Sequence, residues 1–406
     1  MISVKTFINN CVHTKRTTVF VNNILKYRNY SENKKGKESP LKSLLDDAAS
    51  FEDLHPKHPE QQWATPPYMQ TTNTRMQGDY HLREKHDPRE TSVILFPGQG
   101  SQYVGMAKSL MKFPLVQDLF ELSNYILKYD LLKLCLEGPK EKLDQTKYAQ
   151  PAIMVTSLAA IEKLKEERPK AIDDCVATAG FSLGEITALV FAGSLEFEKA
   201  LKLVQIRAEA MQLACETYKG GMATVFISPD SKVNYALLKA REWALQRGDE
   251  VPDCKIANYL HPGCKVVAGS ESALDFLEKN YKEFNLKRVK RIPVSGAFHT
   301  ELMRPAVEPF RKALNKMEIS DPVVSVYSNI DAKRYTSADQ IRRLLPKQIV
   351  KPVKWEQILH VIYSRGQEDY FPRSFECGPG QSLKAILKQV NAKAWNQCYC
   401  VEDQLV

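Results

Sequence analysis

The chain of 406 residues reads as an α/β protein. An α/β-hydrolase-like large subdomain, with a parallel sheet and a nucleophile elbow, is interrupted by a small ferredoxin-like α+β subdomain. Three observations predict this. From Ser92 onward, short apolar strand-like runs alternate with segments of helical periodicity, the order that builds a parallel sheet covered by helices. Within that pattern, the G-x-S-x-G of Gly180 to Gly184 joins the strand-like "CVATAG" to the helix-like "EITALVFAG". Between 222 and 291 the order changes to β-α-β-β-α-β, which suits a split βαβ unit.

Each element follows from its local pattern. "SVILFPGQG" is a short apolar strand closed by a Pro-Gly turn, and "YVGMAKSLMKF" (103–113) has the spacing of a helix. Apolar helices are expected near 115–135 and 151–168. Strand 175–180 leads into the serine turn, and helical spacing resumes through 185–192 and 196–216. In the insert, "GMATVFIS", "CKIANY", "CKVVAGS" and "KRVKRIPVS" read as strands, with helices at "DSKVNYALLKAREWALQ" and "ESALDFLEKNY". Residues 91–221 and 292–406 thus form the large subdomain and 222–291 the small one, with no internal repeat.

Composition narrows the class. Hydrophobic content of 43% and charged content of 26% suit a soluble globular chain. No apolar run approaches the roughly 18 residues of a membrane span. The net charge of +9 is concentrated in residues 1–37, which carry eight Lys or Arg against Glu32 alone. A nucleic-acid binder spreads basic residues over its folded part, so no nucleic-acid partner is expected. Nine cysteines are scattered without C-x-x-C or zinc spacing, which predicts reduced thiols and no metal site. Residues 1–31 lack Asp and Glu and are basic with interspersed apolar residues, as in a mitochondrial presequence. Residues 32–90 are polar and proline-rich, a linker or arm with one helical patch at 41–51.

The chemistry centres on Ser182. Glycines on either side relieve crowding at a sharp turn, and the following helix offers its positive N-terminus to a developing anion. The pentapeptide alone also fits a helix-capping serine. A nucleophilic serine needs a base. His299, in the loop "VSGAFHTELM" between a strand-like segment and a helix, is better placed to enter a cleft than His261 in a polar turn or His360 on an amphipathic helix. The turn "FPGQGSQ" does not match G-x-G-x-x-G. It can present a backbone N–H to an oxyanion, paired with the N–H of Leu183 after the serine.

"FPGQGSQ", "GFSLGE", "QIRAEAMQ", "SGAFH", "KQIVKPVKW" and "ECGPGQSL" occur in that order across about 91–400. Together they resemble the malonyl-CoA:acyl carrier protein transacylases, most closely the mitochondrial type of animals. That resemblance implies that Ser182 is acylated by malonyl-CoA and that His299 is general base and then acid. It assigns an oxyanion hole to the backbone N–H groups of Gln99 and Leu183. Arg207 would bind the malonyl carboxylate, Gln348 would position His299 through its backbone carbonyl, and Phe298 would exclude a 2-methyl branch. Phe181 stands where many bacterial relatives have histidine, a position that is not the base. The resemblance further implies a Ser-His dyad without a triad acid, no cofactor, and a ping-pong route in the mitochondrial matrix. The second substrate would be an acidic mitochondrial acyl carrier protein. Candidate docking clusters are Lys287, Arg288, Lys290 and Arg291, and Arg342, Arg343 and Lys347. The same elbow could serve a serine thioesterase or esterase releasing malonate to water, or a non-catalytic carrier-binding factor.

Overall fold

The computed structural model describes residues 87–365 and 370–402. The expected presequence at 1–31 and the helical patch at 41–51 lie outside these residues. The described strands are β1 (Ser92–Phe96), β2 (Cys175–Gly180), β3 (Gly220–Phe226), β4 (Cys254–His261), β5 (Cys264–Ser270), β6 (Arg288–Ile292), β7 (Ser325–Tyr327), β8 (Arg373–Glu376) and β9 (Cys398–Cys400). The helices of eight residues or more are α1 (Pro114–Leu127), α2 (Thr146–Glu167), α3 (Leu183–Phe191), α4 (Phe197–Thr217), α5 (Val233–Gln246), α6 (Glu271–Asn280), α7 (Val307–Asn315), α8 (Trp355–Ile362) and α9 (Ser382–Val390).

Five strands form a parallel sheet in the order β7-β2-β1-β8-β9. The central strand β1 is buried along its whole length, as expected of a parallel strand covered on both faces. On one face Val93 and Leu95 join Trp355, Leu359, Leu383 and Leu387 from α8 and α9. Elsewhere in the large subdomain, Phe96 packs against Phe191 of α3 with ring centroids 5.8 Å apart. Register places Phe96 opposite Gly180, so β1 and β2 end at the same level. Their following turns, 97–100 and 181–184, therefore meet at the carboxyl end of the sheet, where open α/β sheets bind ligands.

The four strands β4-β5-β3-β6 form a second, antiparallel sheet. Helices α5 and α6 cover it, with Ala236, Leu237, Ala240, Leu274 and Leu277 in its core. This is the β-α-β-β-α-β order read from the sequence. Its strand β4 is stitched to the large sheet's side of the molecule: Tyr259 donates to the Val353 carbonyl at 2.9 Å and Val353 to that of Ala257 at 2.8 Å. Lys265 and Glu356 add a partly buried ion pair at 2.6 Å. The segment just after Gln348 is thereby held by the small sheet.

One expected helix is absent. Residues 103–113 form successive turns, with Met106 bonded to Tyr103, Lys108 to Gly105 and Leu110 to Ala107. Gly105 has φ +98°, outside the helical region, and its N–H goes instead to the Cys135 carbonyl at 2.7 Å. The apolar spacing still does its packing work, because Met106, Ala107, Leu110 and Phe113 are buried. Among the described residues no helix is long and apolar enough to cross a membrane. Nor do three or more His, Cys, Asp or Glu side chains converge to hold a metal ion.

Candidate active site

Ser182 sits between β2 and α3 with φ 52° and ψ −103°, a left-handed conformation that a residue with a side chain adopts only at a cost. The turn around it is compressed. A Cβ on Gly180 would stand 1.8 Å from the Gly184 carbonyl, and one on Gly184 would stand 2.2 Å from the Phe96 carbonyl oxygen. Only glycine lets the elbow press this closely on itself and on β1. Asn329, just after β7, holds the turn from the other side. Its Oδ1 accepts the Ser182 N–H at 2.7 Å and its Nδ2 donates to the Gly180 carbonyl at 2.8 Å. The Ser182 hydroxyl makes no capping bond to α3, so it is free of the helix it precedes.

That hydroxyl has two neighbours. His299 Nε2 lies 2.9 Å from Ser182 Oγ, and Arg207 Nη2 donates to the same oxygen at 3.1 Å. His299 also has a positive φ, 63°. Its other ring nitrogen, Nδ1, lies 2.7 Å from the Gln348 carbonyl oxygen. A carbonyl can only accept, so Nδ1 carries the proton and Nε2 is left with a lone pair toward the serine. Burial pushes the imidazole down to about 4, with the Arg207 cation adding to the shift and the Gln348 bond opposing it. The ring is therefore neutral near pH 7.

Arg207 projects from α4 and is 1% exposed. Besides Ser182, it donates to Gln150 Oε1 of α2 at 2.6 Å and to Gln348 Oε1 at 2.8 Å. Its Nε is buried with no hydrogen-bond partner. Among the described residues no carboxylate forms an ion pair with it. Burial lowers its pKa to about 10, and Glu185 opposes that shift, so it remains a cation.

The other expected residues fall around this cluster. Gln99 lies in the turn after β1, where a Cβ on neighbouring Gly98 would stand 2.3 Å from the Phe181 carbonyl oxygen. Its side chain is fixed by Thr146 Oγ1 at 3.1 Å and Gln150 Nε2 at 3.3 Å. Leu183 is the first residue of α3, so its N–H has no acceptor from a preceding helical turn. Phe298 is buried beside His299. His261 ends β4 and His360 is exposed on α8, and neither bonds to the Ser182 hydroxyl, whose partners are His299 and Arg207. Lys287, Arg288 and Lys290 are exposed at the edge strand β6, whereas Arg291 pairs with Glu271, Asp275 and Glu278. Arg343 and Lys347 are exposed, and Arg342 donates to the Leu314 and Met317 carbonyls behind α7.

Sequence reasoning passed over four residues that this geometry involves: Gln150, Glu185, Asn329 and Tyr335. Glu185 is wholly buried in the first turn of α3, where it accepts from the Asn329 N–H at 3.1 Å and the Tyr335 hydroxyl at 2.6 Å. It also accepts from Gln348 Nε2. A signal was present. Gln150 and Glu185 are lone polar residues bordering or interrupting apolar helical runs, and such residues are buried only when partnered.

Comparison with known proteins gives the family. Residues 93–368 match the acyl transferase domain family. The probable malonyl-CoA-acyl carrier protein transacylase, mitochondrial, of Drosophila melanogaster is 61% identical over 308 residues, 76% of this chain and 81% of that one. The malonyl-CoA-acyl carrier protein transacylase, mitochondrial, of Homo sapiens is 50% identical over 331 residues, 82% of this chain and 85% of that one. A solved malonyl-transacylase, in complex with its type II PKS acyl-carrier protein, superposes with a TM-score of 0.68 at 32% identity, over 76% of this chain and 94% of that one. With such identity across most of both chains, on a shared fold, the chain belongs to the malonyl-CoA:acyl carrier protein transacylases of the acyl transferase family.

Proposed function

We propose that this acyltransferase moves malonyl from malonyl-CoA to the phosphopantetheine thiol of a mitochondrial acyl carrier protein through a malonyl ester on Ser182. The observation that carries this reading is the convergence on one oxygen: Ser182 Oγ contacts both His299 Nε2 and Arg207 Nη2. A neutral imidazole and a buried guanidinium beside one hydroxyl suit an acyl donor that ends in a carboxylate.

The steps follow from these groups. His299 Nε2 takes the hydroxyl proton as Ser182 Oγ bonds to the thioester carbonyl carbon. The carbonyl oxygen becomes an oxyanion, facing the N–H groups of Leu183 and Gln99; loss of one such donor typically slows an enzyme about 10²- to 10³-fold. Collapse breaks the C–S bond, and His299 returns its proton to the CoA thiolate. The carrier's thiol then repeats the sequence in reverse, giving its proton to His299 and leaving with malonyl. Arg207 holds the distal carboxylate by charge-assisted hydrogen bonds. A carboxylate there also offsets the cation that depresses His299, which makes the imidazole a better base once malonyl is seated. Phe298 beside His299 narrows the acyl pocket against a branched chain.

The site of action is the mitochondrial matrix, where the product feeds fatty acid synthesis. The acid-free leader and the mitochondrial names of the fly and human relatives support this. The carrier docks on the exposed basic residues of β6, the edge strand that runs toward the His299 loop. Intact-mass measurement after mixing with malonyl-CoA tests the core of the reading. One malonyl adduct is expected, dischargeable to carrier protein faster than to water and lost in Ser182→Ala. An equal adduct on Ser182→Ala, or release only as malonate, refutes it.

A further inference from the structure

The buried carboxylate of Glu185 has no place in the steps above, yet it touches the residue that joins His299 to Arg207. Gln348 reaches both. Its backbone carbonyl faces His299 Nδ1, and its side-chain Oε1 accepts from Arg207 Nη2 at 2.8 Å. The other end of that amide, Nε2, donates to the Ser182 carbonyl at 2.7 Å and to Glu185 Oε2. An amide has a donor end and an acceptor end of nearly the same shape, so something must fix which end meets the guanidinium. Turned over, the amide would set its NH₂ against Arg207 and its oxygen against both a carboxylate and a carbonyl.

We infer that Glu185 is a positioning residue for malonyl selectivity: it fixes the Gln348 amide with its oxygen toward Arg207, and so holds the guanidinium where the malonyl carboxylate must arrive. The inference rests on the reading of Arg207 as the carboxylate receptor. Three donors converge on Glu185: the Asn329 N–H and the Tyr335 hydroxyl on Oε1, and Gln348 Nε2 on Oε2. That pattern uses both oxygens as acceptors, as an ionised carboxylate does. Burial raises the carboxyl to about 7 against these bonds and the nearby Arg207 cation, so the group is charged in mildly alkaline solution.

Glu185→Gln is the informative substitution because it keeps the shape. Its amide oxygen can still accept from Asn329 and Tyr335 at the Oε1 position. Its NH₂ must then face Gln348 Nε2, donor against donor. Gln348 relieves this by turning over, which removes the acceptor from Arg207 and the donor from the Ser182 carbonyl. Loss of one hydrogen bond to a buried charged group corresponds to roughly tenfold to a hundredfold.

The test measures malonyl and acetyl transfer from CoA at mildly alkaline pH in four proteins: wild type, Glu185→Gln, Arg207→Ala and the double variant. In Glu185→Gln a rise of roughly tenfold to a hundredfold in the malonyl-CoA KM is expected, with a much smaller change for acetyl-CoA and a cooperative melting transition that shows the variant folded. In the Arg207→Ala background the same substitution should cause no further loss of malonyl preference, because it acts through a side chain already gone. Equal losses toward both substrates, a full additional loss of malonyl preference in the double variant, or failure of this isosteric variant to fold overturns the inference. If Arg207→Ala itself keeps its malonyl preference, the reading of Arg207 fails. If Arg207→Ala loses that preference while Glu185→Gln keeps it, only the role of Glu185 is refuted.

Discussion

Arg207 Nη2 stands 3.1 Å from Ser182 Oγ, so the guanidinium proposed to receive the malonyl carboxylate touches the hydroxyl proposed to attack. The contact ties recognition to reaction. A donor on Oγ stabilises negative charge there as the proton leaves for His299. A carboxylate drawn to the same guanidinium sits within one acyl unit of the attacking oxygen. On the proposed roles, preference for a short diacid would follow from the reach between these two groups.

Arg207→Lys tests whether charge alone suffices. The guanidinium bonds at once to Gln150, Gln348 and Ser182. An ammonium is a point charge on a flexible stem and cannot reproduce the planar fork. Losing one or two charge-assisted bonds should lower kcat/KM for malonyl-CoA by roughly one to two orders of magnitude. Acetyl transfer should change far less. Wild-type selectivity in Arg207→Lys, read by competition between the two thioesters, would show that the geometry of the fork is immaterial.

The elbow and the two sheets were legible because each is written locally. Flanking glycines at 180 and 184 mark a turn that nothing larger fits, and strand alternation with helical spacing marks the layers. The side-chain role of Gln348 was not legible, because it exists only where α3, α4, the His299 loop and the 345–350 segment converge. Local pattern also misled at 103–113. There the apolar spacing reports burial correctly, while Gly105 at φ +98° prevents the helix that the spacing suggests. Glu185 lay between these cases: its isolation in an apolar helix was visible, but not its partners.

Asn329→Ala should loosen the nucleophile. Asn329 satisfies the Ser182 N–H and the Gly180 carbonyl, holding Ser182 at positive φ. Truncation leaves two buried backbone groups without partners, at a cost of about 1–3 kcal/mol each. The urea midpoint should fall, and Ser182 acylation should slow by more than the loss of folded protein explains. A lower midpoint with full acylation per folded molecule would mean that the turn keeps its shape unaided.

Gly184→Ala and Gly193→Ala separate crowding from backbone preference. The Cβ at 184 would meet the Phe96 carbonyl at 2.2 Å, and backbone cannot yield as a side-chain tip can. The elbow would have to shift off β1, which should cost about 3 kcal/mol or more and abolish the malonyl adduct. At Gly193 the φ is +71° but the nearest atom to a Cβ is 3.9 Å away. There only the left-handed backbone is penalised, by about 1–2 kcal/mol, with activity retained. Denaturation midpoints and adduct yields measured together should rank the two variants in that order.

His299 and Glu185 predict opposing pH effects that single variants can expose. Burial lowers the His299 pKa from its ordinary 6.5 to about 4. Between those values the unfolded chain binds more protons, so this contribution is complete above pH 6.5 and is lost as pH falls toward 4. Its full size is on the order of 3 kcal/mol. Burial raises Glu185 from 4.5 to about 7, so the folded chain binds more protons in that window and its contribution weakens as pH rises through it. The two slopes have opposite sign over an overlapping range, so these two contributions largely offset one another between about pH 5 and 6.5. Glu185→Gln removes one slope, so on acidification through that range its urea midpoint should fall relative to that of wild type. His299→Asn removes the other, so its midpoint should rise relative to that of wild type. Acylation of wild type by saturating acetyl-CoA, which brings no carboxylate to Arg207, should also hold its rate down to about pH 5, since an imidazole with a pKa near 4 is still neutral there. A half-maximal rate near pH 6.5 would instead mark His299 as an ordinary, solvated base and remove the ground for both stability trends.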